Sequence, residues 1–296
     1  MISWEQFSVR LQLGGLEPRA ASEWSTWASH NERSVSFCSK GRWRQAHRAL
    51  GRLDTAHKQA RSLLATGWTP SEAVHGFIRG RNTKSAAAVH SGTRFALALD
   101  LKDFFGQVSM DRVAERLGQR FDERVCNWIE GACFREGTIP LGYRTSPVLS
   151  NLAFIEMDTS IQSVAESHGL KYTRWVDDLV FSGDNISDEL LTEVDGLLSL
   201  DGWTLNNNKT RFMRRSPYVL GLYVGQDVDR PRLPRQLKRK LLVETFHFSR
   251  LGFDHFSHPG VMSPGRLFGR VAYANVIEPE LAKLLNERIT SGHRVK

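Results

Sequence analysis

The sequence predicts an α+β fold, and three observations predict it. Tyr172-Thr-Arg-Trp-Val-Asp-Asp-Leu-Val-Phe-Ser182 sets β-branched and aromatic arms on either side of an acidic pair, and Gly183 closes the second arm. That pattern reads as a β-hairpin with Asp177 and Asp178 at its tip. Phe95-Ala-Leu-Ala-Leu is a short apolar run, consistent with a buried strand, and it ends in Asp100. Val148, Leu152 and Ile155, and later Leu190, Leu191, Val194, Leu197 and Leu198, recur at helical spacing. Asp-Asp at a hairpin tip is ordinary turn chemistry. A third carboxylate, at the end of a neighbouring strand, changes its meaning. Three such acids suit a two-metal phosphoryl-transfer site, where two cations activate the attacking oxygen and stabilise the leaving one. Magnesium takes only a few carboxylates and completes its shell with phosphate oxygens and water.

A chain of 296 residues with 41% hydrophobic content supports one large domain or two or three closely packed subdomains. The net charge of +8 and pI near 9.6 point to a polyanionic partner, nucleic acid ahead of an anionic membrane surface. Cys38, Cys126 and Cys133 are odd in number and lack CxxC spacing, so neither a disulfide framework nor a zinc site is expected. Trp4, Glu5 and Gln6 stand where a secretion leader would carry its apolar region. No run reaches the length of a membrane span, so a cytoplasmic protein is expected.

In chain order, residues 1–33 carry Trp4, Phe7, Trp24 and Trp27 among polar residues and read as a small docking segment. Val35, Phe37 and Cys38, then Ser39-Lys-Gly-Arg-Trp-Arg44, read as a strand, a glycine turn and a second strand. Lys40, Arg42 and Arg44 suit phosphate as a group, although each alone fits a solvated surface. A helix with His57, Lys58 and Arg61 follows. Val74-His-Gly-Phe-Ile-Arg-Gly-Arg-Asn-Thr-Lys84 has two glycines that permit close backbone approach. His90 reads as a structural hydrogen-bonding residue. Ser109 is the expected N-cap of a short helix stopped by Gly118. Residues 120–136 read as a core helix. Gly137-Thr-Ile-Pro-Leu-Gly142 is a loop before a helix with Ser146 as N-cap and Pro147 at the first helical position. Ser187 caps another helix, with Asp188 and Glu189 in its first turn. Tyr218–Val224 reads as a strand with a central glycine. Pro231–Lys240 reads as an amphipathic basic helix, with Leu233, Leu237 and Leu241 beneath Arg232, Arg235, Lys238, Arg239 and Lys240. The remainder to Ile289 is helical in pattern, interrupted at Gly252, Gly260 and Gly269.

These pieces, in this order, resemble bacterial reverse transcriptases, and retron reverse transcriptases most closely. Ala98-Leu-Asp-Leu-Lys-Asp-Phe-Phe105 is similar to the first catalytic motif of that family. Gly137–Asn151 resembles the second, and Tyr172–Ser182 looks like the Tyr-x-Asp-Asp box. Leu205–Thr210 and Val219–Val224 are similar to the two motifs beyond it. The match covers roughly Lys40 to Ile289 and is strongest from Phe95 to Val224. Four positions depart from the pattern. Trp175 stands in place of the box tyrosine, and Leu141 in place of the glutamine of Pro-Gln-Gly. Ala86 replaces the asparagine of the retron Asn-Ala-x-x-His signature, and Leu220 replaces the threonine of Val-Thr-Gly.

The resemblance implies a right-hand polymerase with an antiparallel palm sheet. Residues 1–33 would be an N-terminal docking segment, 34–94 the first part of the fingers, 95–230 the palm with part of the fingers, and 231–296 the thumb. It implies RNA-directed DNA polymerase activity, with a primer 3′-hydroxyl attacking the α-phosphate of a deoxynucleotide triphosphate. Asp100, Asp177 and Asp178 would be catalytic. They and Leu101 would hold two Mg2+ ions. Lys40, Arg44, Phe105, Leu141, Gly142 and Lys209 would bind the nucleotide, with Phe105 as the sugar gate. Trp175, Arg235, Lys238 and Arg239 would meet primer and template. The implied partners are a structured non-coding RNA template, the RNA–DNA duplex product and a separate effector protein in antiphage defence, the chain being too short for a fused one. A different class of defence reverse transcriptase, and a catalytically silent RNA-binding scaffold on the same fold, are the alternatives.

Overall fold

The computed structural model describes residues 1–17, 19–39 and 41–294. Two short helices, α1 (Trp4–Arg10) and α2 (Ala21–Ser29), open the chain. A hairpin of β1 (Glu32–Ser39) and β2 (Arg42–Ala49) follows, then α3 (Gly51–Ala65) and α4 (Thr83–Val89). Next come β3 (Phe95–Asp100), α5 (Asp111–Gly118), α6 (Glu123–Cys133), α7 (Ser146–Ala153) and α8 (Ile155–Ser167). The acidic hairpin is β4 (Lys171–Trp175) and β5 (Asp178–Gly183), and α9 (Asp188–Leu200) follows with Ser187 at its N-cap. After β6 (Arg211–Arg214), β7 (Tyr218–Val219) and β8 (Leu222–Tyr223), three helices close the described chain: α10 (Arg235–Leu251), α11 (Pro264–Ile277) and α12 (Pro279–Gly292).

The central sheet has the order β4-β5-β3-β6, and every pairing in it is antiparallel. Alternation along the strands separates its two faces. Leu97, Leu99, Leu179 and Phe181 enter a large core with Ile161 of α8 and Leu190 and Val194 of α9. Trp4, Phe7 and Trp24 belong to the same core, and Phe7 meets Trp128 of α6 edge-on, with ring centroids 5.2 Å apart. Residues 1–33 are thereby packed into the main body through their aromatic side chains. Ala98 and Val180, on the other face, join a second core with Val219, Leu222 and the buried stripes of α10, α11 and α12.

Several local expectations change. Helix α5 starts at Asp111, with Met110 rather than Ser109 at the cap, because Ser109 is drawn into an antiparallel bridge with Thr138; Gly118 is its last residue. The cap of α7 is Thr145 rather than Ser146, and the Ser146 hydroxyl instead donates to the Pro140 carbonyl at 2.7 Å. Tyr218–Val224 is a two-residue hairpin rather than one strand. Leu220 (φ 49°) and Gly221 (φ 80°) are both left-handed, the backbone that such a tight turn requires. Helix α10 begins only after Pro234, so Leu233 precedes it, buried. Gly269 lies inside α11, whereas Gly252 and Gly260 do fall in the break between helices.

Candidate active site

The β3–β5 register places Asp100 directly opposite Asp178. Both are on the sheet face of Ala98 and Val180. Asp177 is in the β4–β5 turn, closed by the Trp175–Asp178 pair. Val176, the first turn residue, has φ 62°, a strained conformation for a β-branched side chain.

The surroundings over-determine that turn. The Leu101 amide donates to the Asp177 carbonyl at 2.9 Å. Arg174, fully buried, donates to the Val176 carbonyl at 3.0 Å and to both Asp158 carboxylate oxygens at 2.7 Å. Its Nη2 also donates to the Asn151 side-chain oxygen at 3.1 Å, and Asn151 in turn donates to the Gly76 carbonyl at 3.0 Å. A Cβ on Gly76 would lie 2.5 Å from the Val176 nitrogen, so only glycine permits this approach.

The carboxylates repel one another. Burial raises the Asp177 pKa, and the nearby Asp100 charge adds to the rise. Burial, then Asp177 and Asp100, push Asp178 up to about 6. Such a site favours any cation that enters it. Lys209, at the end of a short 3-10 turn, already places its ammonium 2.7 Å from both Asp100 oxygens, and Asn206 donates to Asp100 at 3.1 Å. Among the described residues no three Asp, Glu, His or Cys side chains enclose a metal unaided. The acid-rich, cation-seeking donor set fits Mg2+.

A cleft of about 700 Å³ opens over Asp100 and Asp177, and Asp178 is not among the residues that line it. Asp100, Leu101, Asp177 and Lys209 line its floor, with Arg44, Phe105 and Leu141 around them. Trp43 and Phe77, which the sequence reading passed over, line it as well. Lys40 lies outside the described residues, as does the side chain of Arg42. Gly142 packs against β2 rather than serving the cleft wall: a Cβ there would meet the His47 carbonyl at 2.7 Å. Trp175 is half-buried on β4, across from Asp178. Arg235 and Lys238 line a different groove, of about 350 Å³, beside β7 and β8, and Lys238 pairs with Glu278 at 3.2 Å. Arg239 is exposed on the same helix. Arg174, Asp158, Asn151 and Asn206 were also missed. Asn206, Arg174 and Asn151 lay within quoted motifs without being singled out, whereas Asp158 lay in none, and tertiary folding brings it to Arg174.

An antiparallel sheet carrying two paired acids and a third in the adjoining turn, beside an open cleft, has the arrangement that two-metal nucleotidyl transfer requires. Residues 40–224 match the family model described as reverse transcriptase (RNA-dependent DNA polymerase), and the chain belongs to this family. It is similar to the retron Mx65 reverse transcriptase of Myxococcus xanthus, with 31% identity over 278 residues, 83% of this chain and 61% of that protein. It is also similar to the retron Ec86 reverse transcriptase of Escherichia coli, with 29% identity over 194 residues and 60% of each chain. The chain therefore spans about three fifths of the length of these curated relatives. Among solved structures, apo telomerase from Candida tropicalis, truncated from its C-terminal domain, shares the fold. The TM-score is 0.51, with 11% identity, and the match covers 73% of this chain and 60% of that one. No helix among the described residues is long and apolar enough to cross a membrane.

Proposed function

We propose that this chain is an RNA-directed DNA polymerase that copies a dedicated non-coding RNA in a retron-type antiphage system, with a separate effector protein, in the cytoplasm. The observation that carries the chemistry is the Asp100–Asp178 register pair with Asp177 in the adjoining turn. Likeness to the retron enzymes supports the dedicated RNA and the defence role.

In this reading Asp100, Asp177, Asp178 and the Leu101 carbonyl would hold two Mg2+ ions, which would supply activation of the primer hydroxyl and charge neutralisation at the phosphate. Lys209, now paired with Asp100, is within the same cleft as the nucleotide would be. Arg44 meets the triphosphate, and Phe105 stands against the sugar. Residues 34–94 form the N-terminal part of the fingers, 95–230 the palm with part of the fingers, and 231–296 the thumb. There Arg235, Lys238 and Arg239 face the RNA–DNA product, with Trp175 at the primer end.

Asp177→Ala is expected to lower extension of a DNA primer on an RNA template by about 10²–10³-fold, as loss of a principal electrostatic group does. RNA retention on a filter should stay close to wild type. Extension by the variant at the wild-type rate would refute the catalytic assignment. A wild-type protein that binds RNA but extends nothing would establish the silent scaffold.

A further inference from the structure

Strand β6 is the outer strand of the sheet and pairs only with β3. Alternation puts Phe212 and Arg214 on the face of Phe95 and Leu97, opposite to Asp100 and Asp178. Phe95 is also at the far end of β3 from Asp100, about 17 Å along the strand. At that end Arg94, Phe95, Ile186, Phe212, Arg214 and Arg215 line a groove of about 370 Å³. The guanidinium of Arg94 lies 5.1 Å from the centre of the Phe95 ring, and that of Arg214 lies 5.1 Å from the centre of the Phe212 ring. The two rings are 6.3 Å apart.

Neighbouring residues of a strand point to opposite faces, yet Arg214 and Arg215 line the same groove. Arg215 has φ 64°, and this left-handed residue ends the alternation. Arg94, Arg214 and Arg215 are exposed, and among the described residues none has a carboxylate within ion-pair distance, Asp184 included. Phe212 keeps 40% of its surface open to solvent. Three uncompensated cations and two ring-backed guanidinium planes are therefore held in one concave place away from the catalytic cleft.

We propose that this groove binds a strand of RNA that lies outside the cleft. The guanidinium forks take phosphate oxygens, and the arginine–phenylalanine stacks flank unpaired bases. Charge complementarity selects a polyanion, and the stacked planes select nucleic acid over an acidic peptide. Only the choice of RNA rests on the reverse-transcriptase reading.

The test fills the cleft first, with a short RNA–DNA primer–template ended by a dideoxynucleotide, and then titrates a labelled 20-nucleotide single-stranded RNA. Wild type is expected to bind it. R94Q/R214Q/R215Q should bind at least about tenfold more weakly at low salt, and its log Kd against log salt should lose a slope of about 2, three phosphate contacts at about 0.7 each. R94K/R214K/R215K, which keeps the charge, should retain that slope and so separates charge loss from misfolding. Equal affinity and slope in wild type and the glutamine variant would overturn the proposal. So would tighter binding of an acidic peptide or of the same sequence as DNA. Extension of the unblocked primer–template is measured in parallel. Failure of wild type there would reject the polymerase reading, and the RNA titration on the free protein would still decide the groove. Loss of extension in the glutamine variant alone would place the groove within the catalytic path and overturn it as a separate site.

Discussion

Phe105 follows Asp100 by five residues, and its ring lines the cleft beside Phe77, with centroids 6.4 Å apart. Phe77 is 48% exposed and has φ 62°, a backbone cost borne by a bulky residue at the cleft wall. On the proposed reading, the Phe105 ring stands where a ribose 2′-hydroxyl would have to fit, in the cleft that Asp100 and Asp177 also line. Phe105→Ala is expected to lower the preference for deoxynucleotides over ribonucleotides by about 10- to 200-fold, the range for one lost apolar wall contact. The measurement is kcat/KM for each nucleotide on the same primer–template, and an unchanged ratio would remove Phe105 from the gate. At this scale the three acids were legible because each belongs to a contiguous motif with its own strand pattern. Arg174 was not, because a charged residue in a strand reads as solvent-facing until Asp158 and Asn151 are brought to it from separate helices.

The β4–β5 hairpin depends on that buried arginine. Arg174 is tied to Asp158, Asn151 and the Val176 carbonyl, so one side chain joins α7, α8 and the β4–β5 turn. Arg174→Met would leave Asp158 buried without its counter-charge, which costs about 3–5 kcal/mol. Urea unfolding should show a loss of that size, and Arg174→Met/Asp158→Leu should recover much of it, because no orphan charge remains. If the double variant is as unstable as the single one, the ion pair is not what holds the hairpin. Hairpins and long helices were legible from period and turn residues. The caps of α5 and α7 were not, because Ser109 and Ser146 each find a tertiary partner that displaces them from capping. The β7–β8 turn was also hidden, since one glycine in an apolar run fits both an interrupted strand and the second position of a left-handed turn.

Over the whole molecule, the two cores are joined through the sheet, and buried neutral histidines tie helices to the sheet and to one another. His90, at the end of α4, exchanges hydrogen bonds of 2.7 Å with Ser182 of β5 and Thr173 of β4. His57 of α3 meets the Ala132 carbonyl of α6 at 2.9 Å. Burial depresses His90 to about 3 and His57 to about 4. Their folded pKa values are below the unfolded value of 6.5, so their contribution is present above pH 6.5 and lost as pH falls toward 4 and 3. Each reduces stability by up to about 1.4 kcal/mol per pH unit across that window. Asp178 acts in the opposite sense. Its folded pKa of about 6 exceeds the ordinary 3.8, so its contribution is present below 3.8 and lost as pH rises through 6. Burial depresses His75 to about 4 as well, and Asp177 is raised in the same sense as Asp178; three histidines outweigh two aspartates, and the urea midpoint of wild type is expected to fall between pH 7 and pH 5. His90→Gln keeps a donor and an acceptor for Thr173 and Ser182 but cannot titrate. It should be less stable than wild type at pH 7 and should lose distinctly less on going to pH 5. An equal acid loss in both proteins would mean that His90 takes no part in the acid response.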